Sequence, residues 1–81
     1  MQKVVLITGA SSGLGLATAL HLTKKGYIVF GTSRNPEKFT QSIPFELLPL
    51  EITDINSIET CVAEVLKRKK RVDVLINNAG V

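Results

Sequence analysis

The sequence of 81 residues contains a single cysteine and no long hydrophobic run. One cysteine cannot close an internal disulfide, which is typical of a reducing compartment. Cys61 sits among apolar residues at helical spacing, so we interpret it as a small buried residue and not as a nucleophile. No apolar run approaches the roughly 20 residues that span a bilayer, and the run Val4–Ile7 is too short for a signal-peptide core. We therefore expect a cytoplasmic protein without a membrane partner.

Excess charge of one sign is confined to one short segment. Lys67–Arg71 supplies five of the ten positive charges, which leaves five positive against seven negative charges elsewhere. A basic run at the end of a helix complements the helix dipole and stays solvated, so we expect no nucleic-acid partner. The alternative is a basic interaction protein, whose nucleic-acid binding would fall steeply with salt. The only histidine, His21, has no charged neighbour in sequence and is interpreted as a surface residue, and no metal site is expected.

Strand-like and helix-like segments alternate along the chain. The apolar runs predict four strands: 3–8, 27–33, 45–52 and 72–76. Leu16–Lys25 is rich in Ala and Leu and predicts a helix that ends at Gly26. The segment 34–40 is predicted to be a loop or a single helical turn. A second helix is predicted after Asp54, with one apolar face: Ile55, Ile58, Val62, Val65 and Leu66.

This alternation predicts an α/β fold with a Rossmann-type parallel sheet. We expect the strand order 3-2-1-4, right-handed crossovers and one helix on each face of the sheet. The whole chain, 1–81, is too short for more than one small domain. Ligands bind beyond the carboxyl ends of such strands, between strands 1 and 4. The turns at Gly9 and Asn77 both fall there.

Three glycines follow the first predicted strand. Gly9, Gly13 and Gly15 allow a tight turn and leave room for a pyrophosphate to approach the backbone. The helix that begins near Gly13 aims its N–H groups and its positive dipole end at that point, and Ser11 and Ser12 add hydroxyl donors. A glycine-rich turn without a ligand is the alternative. The position between a buried strand and a helix favours phosphate binding.

The spacing of these glycines, Gly-x-x-x-Gly-x-Gly, differs from the general Gly-x-Gly-x-x-Gly fingerprint. Thr8–Gly15 closely resembles the signature of the short-chain dehydrogenase/reductase family. Asn77–Gly80, after a Val-Asp-Val-Leu-Ile strand, resembles the second signature of that family, and Leu50–Asp54 resembles a third. The three matches occur in the family's order and cover the whole chain, and the resemblance implies that residues 1–81 are the N-terminal part of an incomplete dinucleotide-binding Rossmann domain.

The resemblance implies a set of cofactor-binding residues. The turn after the first strand would hold the pyrophosphate and the adenosine ribose: Gly9, Ser11, Ser12, Gly13, Leu14 and Gly15. The second signature would brace the sheet and line the cofactor cleft: Asn78, Ala79 and Gly80. Glu51 stands where the family usually has an Asp that bonds the adenine amine, and Ile52 would contribute its backbone.

The end of the second predicted strand decides between the two nicotinamide cofactors. An acidic residue there bonds the ribose hydroxyls and repels a 2′-phosphate. This sequence has Ser33 and Arg34 instead, and the arginine fork suits phosphate oxygens. A solvated loop arginine is the alternative. We therefore expect NADP in preference to NAD.

The family's catalytic Tyr-x-x-x-Lys pair does not occur in these residues. The only tyrosine, Tyr27, is followed four residues later by Gly31 and is interpreted as a packing or rim residue. We expect the catalytic residues to lie beyond Val81 and this chain alone to be inactive. The full-length protein is expected to be a homo-oligomer that transfers hydride between NADP(H) and a carbonyl or alcohol. The alternative is a dinucleotide-binding module without catalysis.

Overall fold

The computed structural model describes residues 2–78. Within this range the strands are β1 (Val4–Ile7), β2 (Ile28–Ser33), β3 (Glu46–Pro49) and β4 (Val74–Ile76), and the helices are α1 (Gly13–Lys24) and α2 (Ile55–Lys69). A single turn of 3₁₀-helix, Pro36–Lys38, follows β2. The strands form one parallel sheet in the order β3-β2-β1-β4, which confirms the predicted fold class and strand order.

The core lies on both faces of the sheet, because successive side chains of β1 point to opposite sides. Val4 and Leu6 pack on the face that α2 covers, and Val5 and Ile7 pack on the face that α1 covers. From α2 the first face receives Ile58, Cys61, Val62 and Val65. From α1 the second face receives Leu16, Ala19 and Leu22. The prediction of one helix on each face is therefore confirmed.

The C-terminal end of α1 follows from local backbone chemistry. Gly26 adopts the left-handed conformation at φ 97°, which only glycine reaches without cost. The Gly26 N–H donates to Thr23 O at 3.0 Å and the Tyr27 N–H donates to Leu22 O at 3.1 Å, as in a Schellman motif. Gly26 therefore ends the helix, as its position in the sequence predicts.

The predicted apolar face of α2 is wrong at two of its five residues, Ile55 and Leu66. Asp54 caps the helix, accepting from Asn56 N at 3.0 Å, but the side chains of Ile55 and Leu66 are 66% and 42% exposed. Side chains in the first turn point back beyond the start of the helix, which carries Ile55 past the end of the sheet. Leu66 is about 100° around the helix from the buried Val65 and so turns away from the core.

Cys61 belongs to the buried face of α2, from which Ile55 and Leu66 are excluded. Its residue surface is only 4% exposed, and burial raises the pKa of its thiol. A buried thiol with a raised pKa is a poor nucleophile. The interpretation of Cys61 as a small core residue is confirmed.

All four strands are shorter than the sequence predicts, and β3 and β4 differ by more than one residue at one end. β3 ends at Pro49 and not at residue 52, although the Leu50 N–H still donates to Ser33 O at 2.9 Å. Since amides alternate in direction along a strand, the missing N–H of Pro49 falls on the open edge of the sheet, where no partner needs it. β4 begins at Val74 and not at residue 72. The prediction for β1 and β2 holds to within one residue at each end.

The basic segment Lys67–Arg71, which forms the last turn of α2 and the two residues after it, takes part in several ion pairs. Arg68 contacts Glu64 at 2.6 Å and Glu46 at 3.2 Å, and these contacts raise the pKa of the arginine. Arg71 Nε donates to Asp73 at 2.8 Å, and Lys70 ends the helix in the left-handed conformation. The segment therefore stabilises the end of a helix, as its sequence indicates.

Among the described residues, no helix is both long and apolar enough to cross a membrane.

Candidate functional site

The glycine turn after β1 is fixed by β2. Gly9 and Gly13 have φ of 69° and 57°, in the left-handed region that favours glycine. The Gly9 N–H donates to Thr32 Oγ1 at 3.2 Å, and the Ala10 N–H donates to Thr32 O at 2.8 Å. Thr32 is 1% exposed, so its two oxygens anchor the turn from within the core.

The start of α1 approaches the turn closely at Gly15. A Cβ at this position would overlap the Gly9 carbonyl oxygen and lie 2.6 Å from Asn78 Nδ2. Asn78 Nδ2 donates to Gly9 O at 3.1 Å, and the Asn78 N–H donates to Thr8 Oγ1 at 2.9 Å. The end of β4 and the glycine turn are thus joined by side-chain hydrogen bonds, with the helix packed directly against them.

The backbone N–H groups in the first turn of α1 have no side-chain acceptor nearby in sequence. The first N–H groups of a helix have no partner within the helix. Ser12 occupies the N-cap position, yet its side chain forms no capping hydrogen bond, and the first turn has no acidic residue. Leu14 projects beside it with 76% of its surface exposed. This end of the helix is therefore suited to an anion next to an apolar group.

A cleft of about 600 Å³ opens at the carboxyl ends of β1, β2 and β3. It brings together six of the residues predicted to bind a cofactor: Gly9, Ser11, Ser33, Arg34, Glu51 and Ile52. Five other predicted residues do not line it: Ser12, Gly13, Leu14, Gly15 and Asn78. The first three lie at the start of α1, whereas Gly15 and Asn78 support the turn. Ala79 and Gly80 lie outside the described residues.

Charged side chains face each other across the mouth of this cleft. Arg34 Nη1 lies 3.9 Å from Glu51 Oε1, and the two side chains are 75% and 43% exposed. Lys38, from the 3₁₀ turn, lines the same cleft. The carboxylate of Glu51 also accepts from Thr53 Oγ1 at 3.2 Å. The cleft therefore offers two cations at the end next to β2, with one carboxylate opposite them.

Sequence reasoning missed several residues that shape the site. Thr32 anchors the turn, and Lys38 adds a second cation to the cleft. A Cβ at Gly31 would lie 2.5 Å from Ala10 Cβ and 2.8 Å from Phe45 Cε1, so β2 needs glycine where the turn crosses it. The signal for Lys38 was present, because a cation four residues after Arg34 falls in the same short connection after β2. No local pattern marks Thr32 or Gly31.

The described residues hold no group of three or more side chains suited to a metal ion. His21 and Tyr27 are exposed on the surface, away from the residues that line the cleft. The polar groups that line the cleft are hydroxyls, amides, cations and one carboxylate, which are groups that bind a charged organic ligand.

A parallel sheet in the order β3-β2-β1-β4, with a helix on each face and a glycine turn after β1, defines a Rossmann-type fold. The family model described as short chain dehydrogenase matches residues 3–81. The chain belongs to the short-chain dehydrogenase/reductase family, as the three signatures in its sequence indicate.

Curated relatives match nearly the whole of this chain. It is 42% identical over 79 residues to a 3-ketodihydrosphingosine reductase of Bacteroides thetaiotaomicron, covering 98% of this chain and 29% of the relative. It is 38% identical over 85 residues to an NADPH-dependent pterin aldehyde reductase of Arabidopsis thaliana, covering 96% of this chain and 35% of the relative. The chain thus spans about a third of the length of these relatives.

Solved structures show the same backbone. The ligand-free aldohexose dehydrogenase of Thermoplasma acidophilum superposes with a TM-score of 0.88 at 28% identity, covering 99% of this chain and 30% of that one. A variant of ElxO with NADPH bound superposes with a TM-score of 0.82 at 34% identity, covering 100% of this chain and 36% of that one.

Proposed function

We propose that the cleft binds NADP(H), as the cofactor-binding part of an oxidoreductase that transfers hydride between the nicotinamide and a carbonyl or alcohol. The observation that carries the proposal is that Arg34 lines the same cleft as the glycine turn. Neither Ser33 nor Arg34 is acidic, so the end of β2 has no carboxylate that would repel a 2′-phosphate. One relative is named as NADPH-dependent and one similar structure has NADPH bound, which supports the same cofactor.

The residues of the site fit such a dinucleotide. The backbone at Gly13 leaves open space where a Cβ would point, so a phosphate can approach the start of α1. The free N–H groups there and the hydroxyl of Ser11 would hold the pyrophosphate, and Arg34 and Lys38 would hold the 2′-phosphate. Leu50 and Ile52 line the cleft on the side of β3 and would contact the adenine.

The nicotinamide supplies the hydride chemistry when the cofactor is bound. The residues of this chain would bind and orient it: Thr32 and Asn78 fix the glycine turn, and Gly15 allows α1 to approach that turn closely. We place the proton donor of the reaction outside these residues. The cytoplasmic location and the homo-oligomeric state of the full-length protein also stay predictions.

Arg34→Ala tests the choice of cofactor. Loss of a charged hydrogen bond should weaken NADPH binding by about 1–3 kcal/mol, with little change for NADH. Dissociation constants measured by calorimetry for both cofactors, on the full-length protein, give the comparison. Lys67→Ala is the matched control, because it removes one positive charge from the exposed end of α2. Equal losses for NADPH and NADH would show that Arg34 does not contact the 2′-phosphate.

A dinucleotide-binding module without catalysis is the second candidate. The 81 residues hold the cofactor-binding turn and cleft and no Tyr-x-x-x-Lys pair, so both candidates share the same binding site. The two candidates differ in turnover: the full-length oxidoreductase would oxidise NADPH when supplied with a suitable carbonyl compound, whereas a binding module would not. Cofactor binding with no turnover across a panel of aldehydes and ketones would favour the second candidate.

A further inference from the structure

The cleft contains a negative charge that would repel the phosphate of the proposed ligand. Among the described residues that line it, Glu51 supplies the single carboxylate, opposite the cations Arg34 and Lys38. The Arg34–Glu51 contact of 3.9 Å crosses the place where β2 and β3 end side by side, since Ser33 is paired with Pro49. A 2′-phosphate next to Arg34 would therefore have a carboxylate as its neighbour.

Glu51 is better fixed in place than its partner. The Glu51 N–H donates to Ser57 Oγ at 2.8 Å, and its carboxylate accepts from Thr53 Oγ1 at 3.2 Å. The Arg34 side chain is 75% exposed, against 43% for Glu51. The carboxylate is thus held by its own segment, while the arginine reaches across to it.

We propose that Glu51 competes with the 2′-phosphate for Arg34 and so lowers the preference for NADP(H) below what the two cations alone would give. This inference rests on the proposed binding of NADP(H) in the cleft. A phosphate that takes both nitrogens of the arginine fork must draw it away from Glu51. The carboxylate also repels the phosphate directly, and both effects have the same sign.

Glu51→Gln isolates the charge. Glutamine keeps the length of the side chain and an oxygen that accepts from Thr53, so the local hydrogen bond survives. The quantity to measure is the ratio of the dissociation constant of NAD⁺ to that of NADP⁺, because any contact with the adenine is common to both cofactors and divides out. Glu46→Gln is the matched control, since it removes the same charge at the start of β3.

We expect Glu51→Gln to raise this ratio about two- to fivefold at low salt, which is the range of an exposed ion pair. The increase should shrink as salt screens the interaction. In the Arg34→Ala background, Glu51→Gln should produce a smaller increase, because the competition needs the arginine. Calorimetry of the four proteins in this cycle, on the full-length protein, gives the coupling between the two residues.

Two results would overturn the inference. An unchanged or lower ratio in Glu51→Gln would show that the carboxylate does not compete with the phosphate. An equal increase with and without Arg34 would show that Glu51 acts by direct repulsion alone. Failure of the proposed function looks different, because Arg34→Ala would then leave the ratio unchanged in a protein that still has Glu51.

Discussion

Replacing Gly15 by alanine tests whether the close approach of α1 to the glycine turn determines cofactor binding. The added Cβ would overlap the Gly9 carbonyl oxygen and crowd Asn78 Nδ2 at 2.6 Å. The Asn78 side chain can move, but the Gly9 carbonyl belongs to a turn that Thr32 anchors, so the helix must shift. Overpacking of this kind costs about 1–3 kcal/mol.

The gain in helix propensity from glycine to alanine offsets at most about 1 kcal/mol of that cost. We therefore expect Gly15→Ala to lower the free energy of unfolding by about 1–2 kcal/mol and to weaken NADPH and NADH binding together. Urea denaturation and calorimetry on the full-length protein measure the two effects. Ala17→Gly, at an exposed position of the same helix, measures the propensity contribution by itself.

The double variant Gly15→Ala/Asn78→Ala separates the two overlaps. It removes the side-chain overlap and leaves the one with Gly9 O, so we expect no recovery of cofactor binding. Wild-type stability and affinity in Gly15→Ala alone would refute the reasoning. That result would mean that the turn and the helix can separate without consequence for the cleft.

Two further predictions concern Asp73, which precedes β4, and the exposed edge of β4 itself. Asp73 accepts from Arg71 Nε at 2.8 Å and from Val4 N at 2.7 Å, and these bonds lower the pKa of its carboxyl. Because the pKa of Asp73 is lowered in the folded protein, its charged form stabilises the fold above the ordinary pKa of about 4, and this stabilisation is lost as pH falls through the folded pKa. Asp73→Asn should therefore reduce the loss of stability in denaturation series from pH 7 to pH 3. An unchanged pH profile would contradict a role of the Asp73 carboxylate in stability. Within residues 2–78, β4 pairs only with β1, and Leu75 is 62% exposed. Unpaired apolar edges recruit other chains, so the 81-residue chain should be marginally stable and should self-associate. Leu75→Lys should reduce this association more than Ile55→Lys does. A wild-type chain that is monomeric in size-exclusion chromatography and unfolds cooperatively at several kcal/mol would contradict the prediction.

The order of elements could be predicted because it depends on signals that are local in sequence. A continuous apolar run marks a strand buried on both faces, and Gly26 and Asp54 mark where helices end and begin. Boundaries were less predictable where tertiary position decides them. Ile55 has the right spacing for the core, but its place in the first turn carries it beyond the sheet.

The candidate site divides in the same way. The glycine turn is one contiguous motif, so its position after β1 could be predicted from spacing alone. Thr32 and Gly31 shape that turn from another strand, and their roles depend on the parallel register of β1 with β2, in which Ile7 is paired with Gly31. A threonine near the end of a strand has no sequence feature that distinguishes an anchor from an ordinary β-branched strand residue.

The sequence allowed a separate role to be predicted for Arg34 and for Glu51, but not the contact between them. From the sequence, Arg34 is the group that favours a 2′-phosphate and Glu51 is a group near the adenine. The parallel sheet ends β2 and β3 at the same edge, so the two assignments fall within 3.9 Å of each other. A cation and an anion at that distance cannot act independently on a phosphate between them. Under the proposed binding of NADP(H), cofactor preference would depend on both residues, and substitution of either one alone would also report on its partner.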